Sequence, residues 1–166
     1  SPFESQQKII VSMGMLIKSP KHLKQVLACS WDLTIIDEAH HLEWDEWDPS
    51  LEWQIVQSIS KKTQALLLLT ATPRQRGLGS QFGLLNLIDP KRFHSYEEFY
   101  EEYQEIKEIA FFAKQIVENN FSQKDLKKWQ SYFKHDPKIQ ALLKSIKGEG
   151  QSQALLNHLV DCHGTG

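Results

Sequence analysis

The sequence predicts an α/β protein with a parallel sheet, followed by an α-helical segment. Short apolar runs alternate with helical patterns as far as residue 94, whereas no strand pattern is found from Ser95 onward. The order strand, helix, strand, helix, strand with short links is typical of a parallel α/β sheet. We therefore predict two parts, residues 1–94 and residues 95–166.

Three strands and two helices are predicted in the first part. The strands are residues 8–12, 33–36 and 65–69. Residues 33–36 are apolar almost throughout, which is expected of a strand that is covered on both faces. Ser19-Pro20 supplies an N-cap and a first-turn proline for a helix that reaches Cys29, and Pro49-Ser50 opens the second helix. In such sheets ligands bind where the strands end.

The second part is predicted to be helical. Ser95 and Glu98 form a capping box, in which each side chain satisfies a free backbone amide of the other residue. The helix that follows extends to about Asn119, and shorter helices are predicted near residues 122–134, 137–147 and 151–163.

Composition excludes several classes of protein. The chain has 166 residues, of which 40% are hydrophobic and 24% are charged, so it contains enough apolar residues for a core. A net charge of −2 is not that of a DNA-coating protein. The longest apolar run, Ala65 to Leu69, is too short to span a membrane, and the first residues do not form a secretion signal.

Because the chain lacks an initial Met and stops at Gly166, we expect both ends to lie inside a longer protein.

Two carboxylates follow the predicted strand at residues 33–36. In the sequence Asp37-Glu38-Ala39-His40 they are placed where a parallel sheet binds ligands. Transfer of a phosphoryl group to water needs a metal ion and a group that orients the water. We predict that Asp37 holds Mg²⁺, largely through the water shell of the ion, and that Glu38 activates the water. Neighbouring residues of a strand point to opposite faces, so the chain must bend here.

A second polar group follows the next predicted strand, in the sequence Leu69-Thr70-Ala71-Thr72-Pro73. If the two strands are neighbours, Thr70 and Thr72 lie close enough to hydrogen-bond with His40 or with the carboxylates. Such a contact would couple the state of a bound nucleotide to the loop that follows.

The two sequences together resemble motifs II and III of superfamily 2 helicases and translocases. Thr72-Pro73-Arg74-Gln75 is similar to the Snf2 branch, and Ser80-Gln81-Phe82, residues 89–94 and residues 163–165 are similar to the bacterial RNA polymerase-associated members of that branch. The resemblance implies that residues 1–94 are a half-lobe, the C-terminal part of the first RecA-like lobe, and that residues 95–166 are the helical segment after it. The parent protein would be a cytoplasmic, nucleoid-associated ATPase that uses ATP and Mg²⁺, moves on double-stranded DNA and promotes recycling of RNA polymerase. It gives Asp37 and Glu38 the Walker B positions, and His40, Thr70, Ala71 and Thr72 the coupling positions.

The sequence departs from the family in one respect. It contains no G-x-x-x-x-G-K-[ST] sequence, so the loop that cradles phosphates is missing, and we expect the chain by itself to be inactive. Arg74 and Arg76 are candidate nucleic-acid contacts, although solvated loop residues are the alternative. The acidic, Trp-rich residues 43–48 either bind a partner or pack against the lobe. The competing function is a non-catalytic module that binds RNA polymerase or another protein.

Overall fold

A computed structural model describes residue 3 and residues 5–71, 77–146 and 149–163. Within these residues the chain forms two strands, eight α-helices and one short 3₁₀ turn. The strands are β1 (Trp31–Ile36) and β2 (Thr63–Leu68), and the 3₁₀ turn is Ala39–His41. The helices are α1 (Met13–Lys18), α2 (Pro20–Ala28), α3 (Leu51–Ser60), α4 (Leu78–Ile88), α5 (Tyr96–Val117), α6 (Gln123–Tyr132), α7 (Pro137–Ser145) and α8 (Glu149–His163).

The two strands are parallel neighbours, as the sequence predicts, with Leu33 opposite Ala65 and Ile36 opposite Leu68. Helix α3 lies between them in the chain. Its N-cap is the predicted Ser50, whose hydroxyl accepts a hydrogen bond from the Trp53 amide. Buried residues of the 3₁₀ turn and of helices α3 and α4 form a core with one face of the sheet, and this core contains Ala39, Leu42, Trp53, Val56 and Leu87.

The opposite face of the sheet is open, which corrects the prediction that β1 is covered on both faces. The side chains of Leu33 and Ile35 are each 53% exposed, and Leu67 on β2 is 44% exposed. Alternate residues of a strand point to opposite faces, so these three side chains form one apolar surface. In the described residues no element packs against this surface.

The strand predicted at residues 8–12 is also wrong, since these residues have no strand conformation. A strand needs a partner for its backbone hydrogen bonds, and within the described residues the sheet has only two members. Ile9 and Val11 instead pack beside a core formed by Phe3, Leu16, Val26, Ile55 and Ile59.

Two helices were not predicted. Helix α1 begins after the N-cap Ser12 but contains a glycine in its first turn, and α4 contains Gly79 and Gly83 and has apolar residues on most of its surface. Glycine is a poor helix former, and a helix without a polar face has no clear period to detect. Tertiary packing therefore decides both elements.

The helical part follows the prediction closely. Helices α5 to α8 are present, and the Glu98 amide donates to the Ser95 hydroxyl at 3.2 Å, which is one half of the predicted capping box. The last three helices and the end of α5 share a core of eight buried residues: Phe112, Ile116, Trp129, Phe133, Ile139, Leu143, Leu155 and Leu159.

The chain divides into two compact units between Tyr100 and Glu101, within α5. The assignment of residues 1–94 to the lobe of a longer protein stays a prediction, since compactness alone does not define where that lobe ends. Among the described residues, every helix is too short or too polar to cross a membrane.

Candidate active site

The two acidic residues lie where the chain leaves β1 and turns sharply. Glu38 has a left-handed backbone, with φ 51° and ψ 44°, and serves as the N-cap of the 3₁₀ turn at Ala39–His41. The Glu38 amide donates to Asp37 Oδ1 at 2.9 Å. A left-handed conformation is uncommon for a residue with a side chain. The chain therefore bends at the two carboxylates, as the sequence predicts.

Hydrogen bonds beyond the end of each strand bring the two motifs together. The Leu69 amide donates to the Ile36 carbonyl, and the Ala39 amide donates to the Leu69 carbonyl, both at 2.8 Å. Thr70, the residue after Leu69, is therefore held next to the 3₁₀ turn. Parallel pairing makes this possible, because it places the carboxyl ends of both strands at one edge.

His40 is the meeting point of the two motifs. Its Nδ1 lies 3.0 Å from Glu38 Oε2 and 3.5 Å from Thr70 Oγ1. The shorter distance is that of a good hydrogen bond, in which Nδ1–H donates to the carboxylate, and the longer one is at the limit for such a bond. His40 is half-buried and its ring lies against that of His41, with centroids 4.2 Å apart and the planes tilted by 39°. The predicted proximity of Thr70 to His40 is thus observed.

The donors at this edge suit a magnesium ion. Asp37 and Glu38 are both exposed. Mg²⁺ keeps several of its water ligands and is often held by one or two carboxylates together with phosphate oxygens of the substrate. An exposed carboxylate at a sheet edge meets that requirement. Among the described residues no cluster of three or more His, Cys, Asp or Glu side chains forms a closed metal cage, so the ion would need ligands from the nucleotide and from water.

The loop that follows the turn is anchored by Trp44. The ring of Trp44 packs against Phe82 and Tyr96, with centroid distances of 4.6 and 5.3 Å. The base of the Trp44 side chain lies against Gly83 of α4. A Cβ atom added to Gly83 would be only 2.3 Å from Trp44 Cβ. The Trp53 indole also donates to the Gly83 carbonyl at 2.9 Å. Of the two alternatives for residues 43–48, packing against the lobe is therefore correct for Trp44, and the unpredicted helix α4 provides the surface on which it packs.

Several predicted site residues cannot be placed. Thr72, Arg74 and Arg76 lie outside the described residues, and Ala71 is described as exposed. The structure thus brings together Asp37, Glu38, His40 and Thr70. The contact of Trp44 with Phe82 could have been predicted only if residues 78–88 had been recognised as a helix in spite of their two glycines.

Comparison with known proteins identifies the class of protein. The SNF2-related domain family matches residues 3–162, and the chain belongs to this family.

The relatives include three bacterial proteins that bear the name RNA polymerase-associated protein RapA. The protein of Pectobacterium atrosepticum is 38% identical over 170 residues, which cover 99% of this chain. Those of Vibrio atlanticus and Actinobacillus pleuropneumoniae are 36% and 38% identical over 173 residues, which cover 100% and 99% of this chain. The chain spans 18% of the length of each of these relatives.

Proposed function

We propose that this chain supplies the metal-binding and water-activating half of the ATPase site of a Snf2-type translocase. One observation carries the proposal: the ends of two parallel strands bring Asp37, Glu38, His40 and Thr70 to one edge of the sheet. Membership of the SNF2-related family supports it. The phosphate-gripping half would come from a part of the longer protein that contains a Walker A sequence.

Each residue has a distinct role in this proposal. Asp37 holds Mg²⁺, which when bound neutralises charge on the phosphate oxygens. Glu38 accepts a proton from the attacking water, and its left-handed backbone bends the chain directly after Asp37. His40 orients Glu38, because its ring nitrogen donates to the carboxylate at 3.0 Å.

His40 and Thr70 would also transmit the state of the site. Their 3.5 Å contact joins the turn after β1 to the segment after β2. A nucleotide that displaced the Glu38 carboxylate would change the partner of His40 and hence the position of Thr70. Ala71 and Thr72 follow directly, and Arg74 and Arg76 come next as proposed contacts to nucleic acid.

The longer protein is proposed to move along double-stranded DNA in the bacterial cytoplasm and nucleoid and to associate with RNA polymerase, promoting its recycling. The names of the relatives support the polymerase as partner. The chain itself is proposed to be inactive, since a carboxylate pair without the P-loop backbone and lysine cannot hold a nucleoside triphosphate.

The test uses the full-length protein and replaces Asp37 by Asn. We expect DNA-stimulated ATP hydrolysis to fall at least about 100-fold, as is typical when electrostatic stabilisation at a reacting phosphate is removed. The matched control is Asp48→Asn, which removes the same charge from an exposed residue of the neighbouring loop. Hydrolysis at the wild-type rate in Asp37→Asn would refute the metal role. A wild-type protein that binds RNA polymerase but never hydrolyses ATP would favour the non-catalytic module instead.

A further inference from the structure

One large side chain of the loop that follows the 3₁₀ turn has no packing role. Trp47 is 88% exposed, although Trp44, only three residues earlier, is held by two aromatic rings. An exposed indole leaves a large apolar surface in water. We propose that residues 43–50, here called the Trp47 loop, form a docking surface for an arginine-rich segment of another protein. This inference depends neither on ATP hydrolysis nor on polymerase binding.

The Trp47 loop is held in a defined shape. The Ser50 amide donates to the Glu43 carbonyl at 3.0 Å, which closes the base of the loop. Asp45 Oδ1 accepts from the amides of Trp47 and Asp48 at 2.9 and 3.3 Å, which fixes the tip. A surface that is ordered before binding loses less conformational entropy when a partner binds. Trp47 is therefore presented outward by a pre-formed loop.

The charge around the loop selects the partner. The Trp47 loop itself contains four acidic residues, Glu43, Asp45, Glu46 and Asp48, and no Lys or Arg. Such a surface repels the phosphates of nucleic acid and attracts cationic side chains. Among cationic side chains, arginine both pairs with carboxylates through two parallel hydrogen bonds and stacks on an aromatic ring.

The base of the loop has a second feature that suits a guanidinium group. An open cleft of about 540 Å³ lies at the base of the loop, and three acidic residues, two serines and Trp44 line it. The lining residues are Glu43, Trp44, Asp45, Asp48, Ser50 and Ser80. One arginine in the cleft and a second on the Trp47 ring would use both features of the loop, so we infer a segment with closely spaced arginines.

The experiment measures binding of a fluorescent nine-residue arginine peptide to the full-length protein by anisotropy. Trp47→Ala should raise the Kd about tenfold or more, as for a tryptophan at the centre of an interface, and Trp47→Phe should restore part of the affinity. The matched control is Val117→Ala, an apolar side chain that is 69% exposed on α5. Because Trp47 has no packing role, the melting temperature should be unchanged.

Charge is tested separately. Glu46→Gln with Asp48→Asn should weaken binding several-fold and make the Kd less sensitive to salt. Glu101→Gln with Glu105→Gln, two exposed residues of α5, removes the same charge elsewhere and should have little effect. A benzoylphenylalanine cross-linker at position 47, but not at position 117, should attach to the peptide.

Two results would overturn the inference. One is equal peptide affinity in the wild type, Trp47→Ala and Val117→Ala. The other is weaker binding of duplex DNA by Trp47→Ala with unchanged peptide binding, which would make the loop a nucleic-acid contact.

Discussion

Replacing Gly83 by alanine should displace the loop behind the candidate site. A Cβ atom at this position would lie 2.3 Å from Trp44 Cβ and 2.6 Å from Trp44 Cγ. Ordinary van der Waals contacts begin near 3.4 Å, so the helix and the tryptophan must separate by about 1 Å. Neither group is the end of a flexible side chain, because Cβ and Cγ of Trp44 follow the backbone directly.

Three contributions determine how far Gly83→Ala changes the free energy of unfolding. Overpacking of a tight contact costs about 1–3 kcal/mol. Loss of the hydrogen bond from the Trp53 indole to the Gly83 carbonyl would add about 0.5–1.5 kcal/mol. Alanine is the better helix former by about 1 kcal/mol, which partly offsets both. We expect a net destabilisation of about 1–3 kcal/mol.

Gly79 provides a control in the same helix. A Cβ atom there would meet nothing closer than the Trp44 carbonyl at 3.6 Å, which is an ordinary contact. Gly79→Ala should therefore be neutral or slightly stabilising. Thermal unfolding by circular dichroism should show a lower Tm for Gly83→Ala only, by about 2–4 °C for each kcal/mol. Hydrogen exchange should show faster exchange in residues 43–50. A Tm for Gly83→Ala at or above that of Gly79→Ala would show that Trp44 does not pack closely on Gly83.

Two further predictions concern acid stability and self-association. In the helical unit, the amide of Ile139 donates to Asp136 and holds the pKa of that carboxyl below its usual range, and the hydrogen bond from His158 at 3.0 Å lowers it further. Because folding lowers the pKa of Asp136, its carboxylate stabilises the folded state at pH values above the ordinary pKa. This stability is lost as the pH falls below about 4 and the carboxylate becomes protonated in the folded state. Asp136→Asn should keep the cap but lose this acid sensitivity, and Asp136→Ala should cost about 1 kcal/mol at pH 7; equal melting curves of Asp136→Asn and wild type from pH 5 to pH 3 would contradict this. The open sheet face predicts that the 166-residue chain self-associates, since exposed apolar patches drive association. Sedimentation experiments should show a monomer for Leu33→Gln with Ile35→Gln. The control, Val117→Gln with Val160→Gln, should self-associate like the wild type.

The sequence predicted those parts of the fold that depend on local signals. The N-caps Ser19 and Ser50 are found where the pattern placed them, and each accepts a hydrogen bond from a first-turn amide. The strands at residues 33–36 and 65–69 were predicted because their apolar runs end abruptly in polar residues. Their parallel pairing then followed from the helix between them.

The errors all involve long-range contacts. Residues 8–12 have a strand-like composition, but a strand requires a neighbour that a local pattern cannot reveal. Helix α4 depends on Gly83, whose missing side chain leaves room for Trp44. The left-handed backbone of Glu38 was expected only as a bend, and its hydrogen-bonded contact with His40 is visible only in three dimensions.

Glu38→Gln in the full-length protein tests the proposal that Glu38 activates the attacking water. Glutamine keeps the size of the side chain and its hydrogen bond from His40 but cannot accept a proton as a carboxylate does. We expect DNA-stimulated ATP hydrolysis to fall by about 100-fold or more, with the Kd for ATP changed little. Glu46→Gln serves as the control. Turnover at the wild-type rate in Glu38→Gln would show that Glu38 does not activate the water.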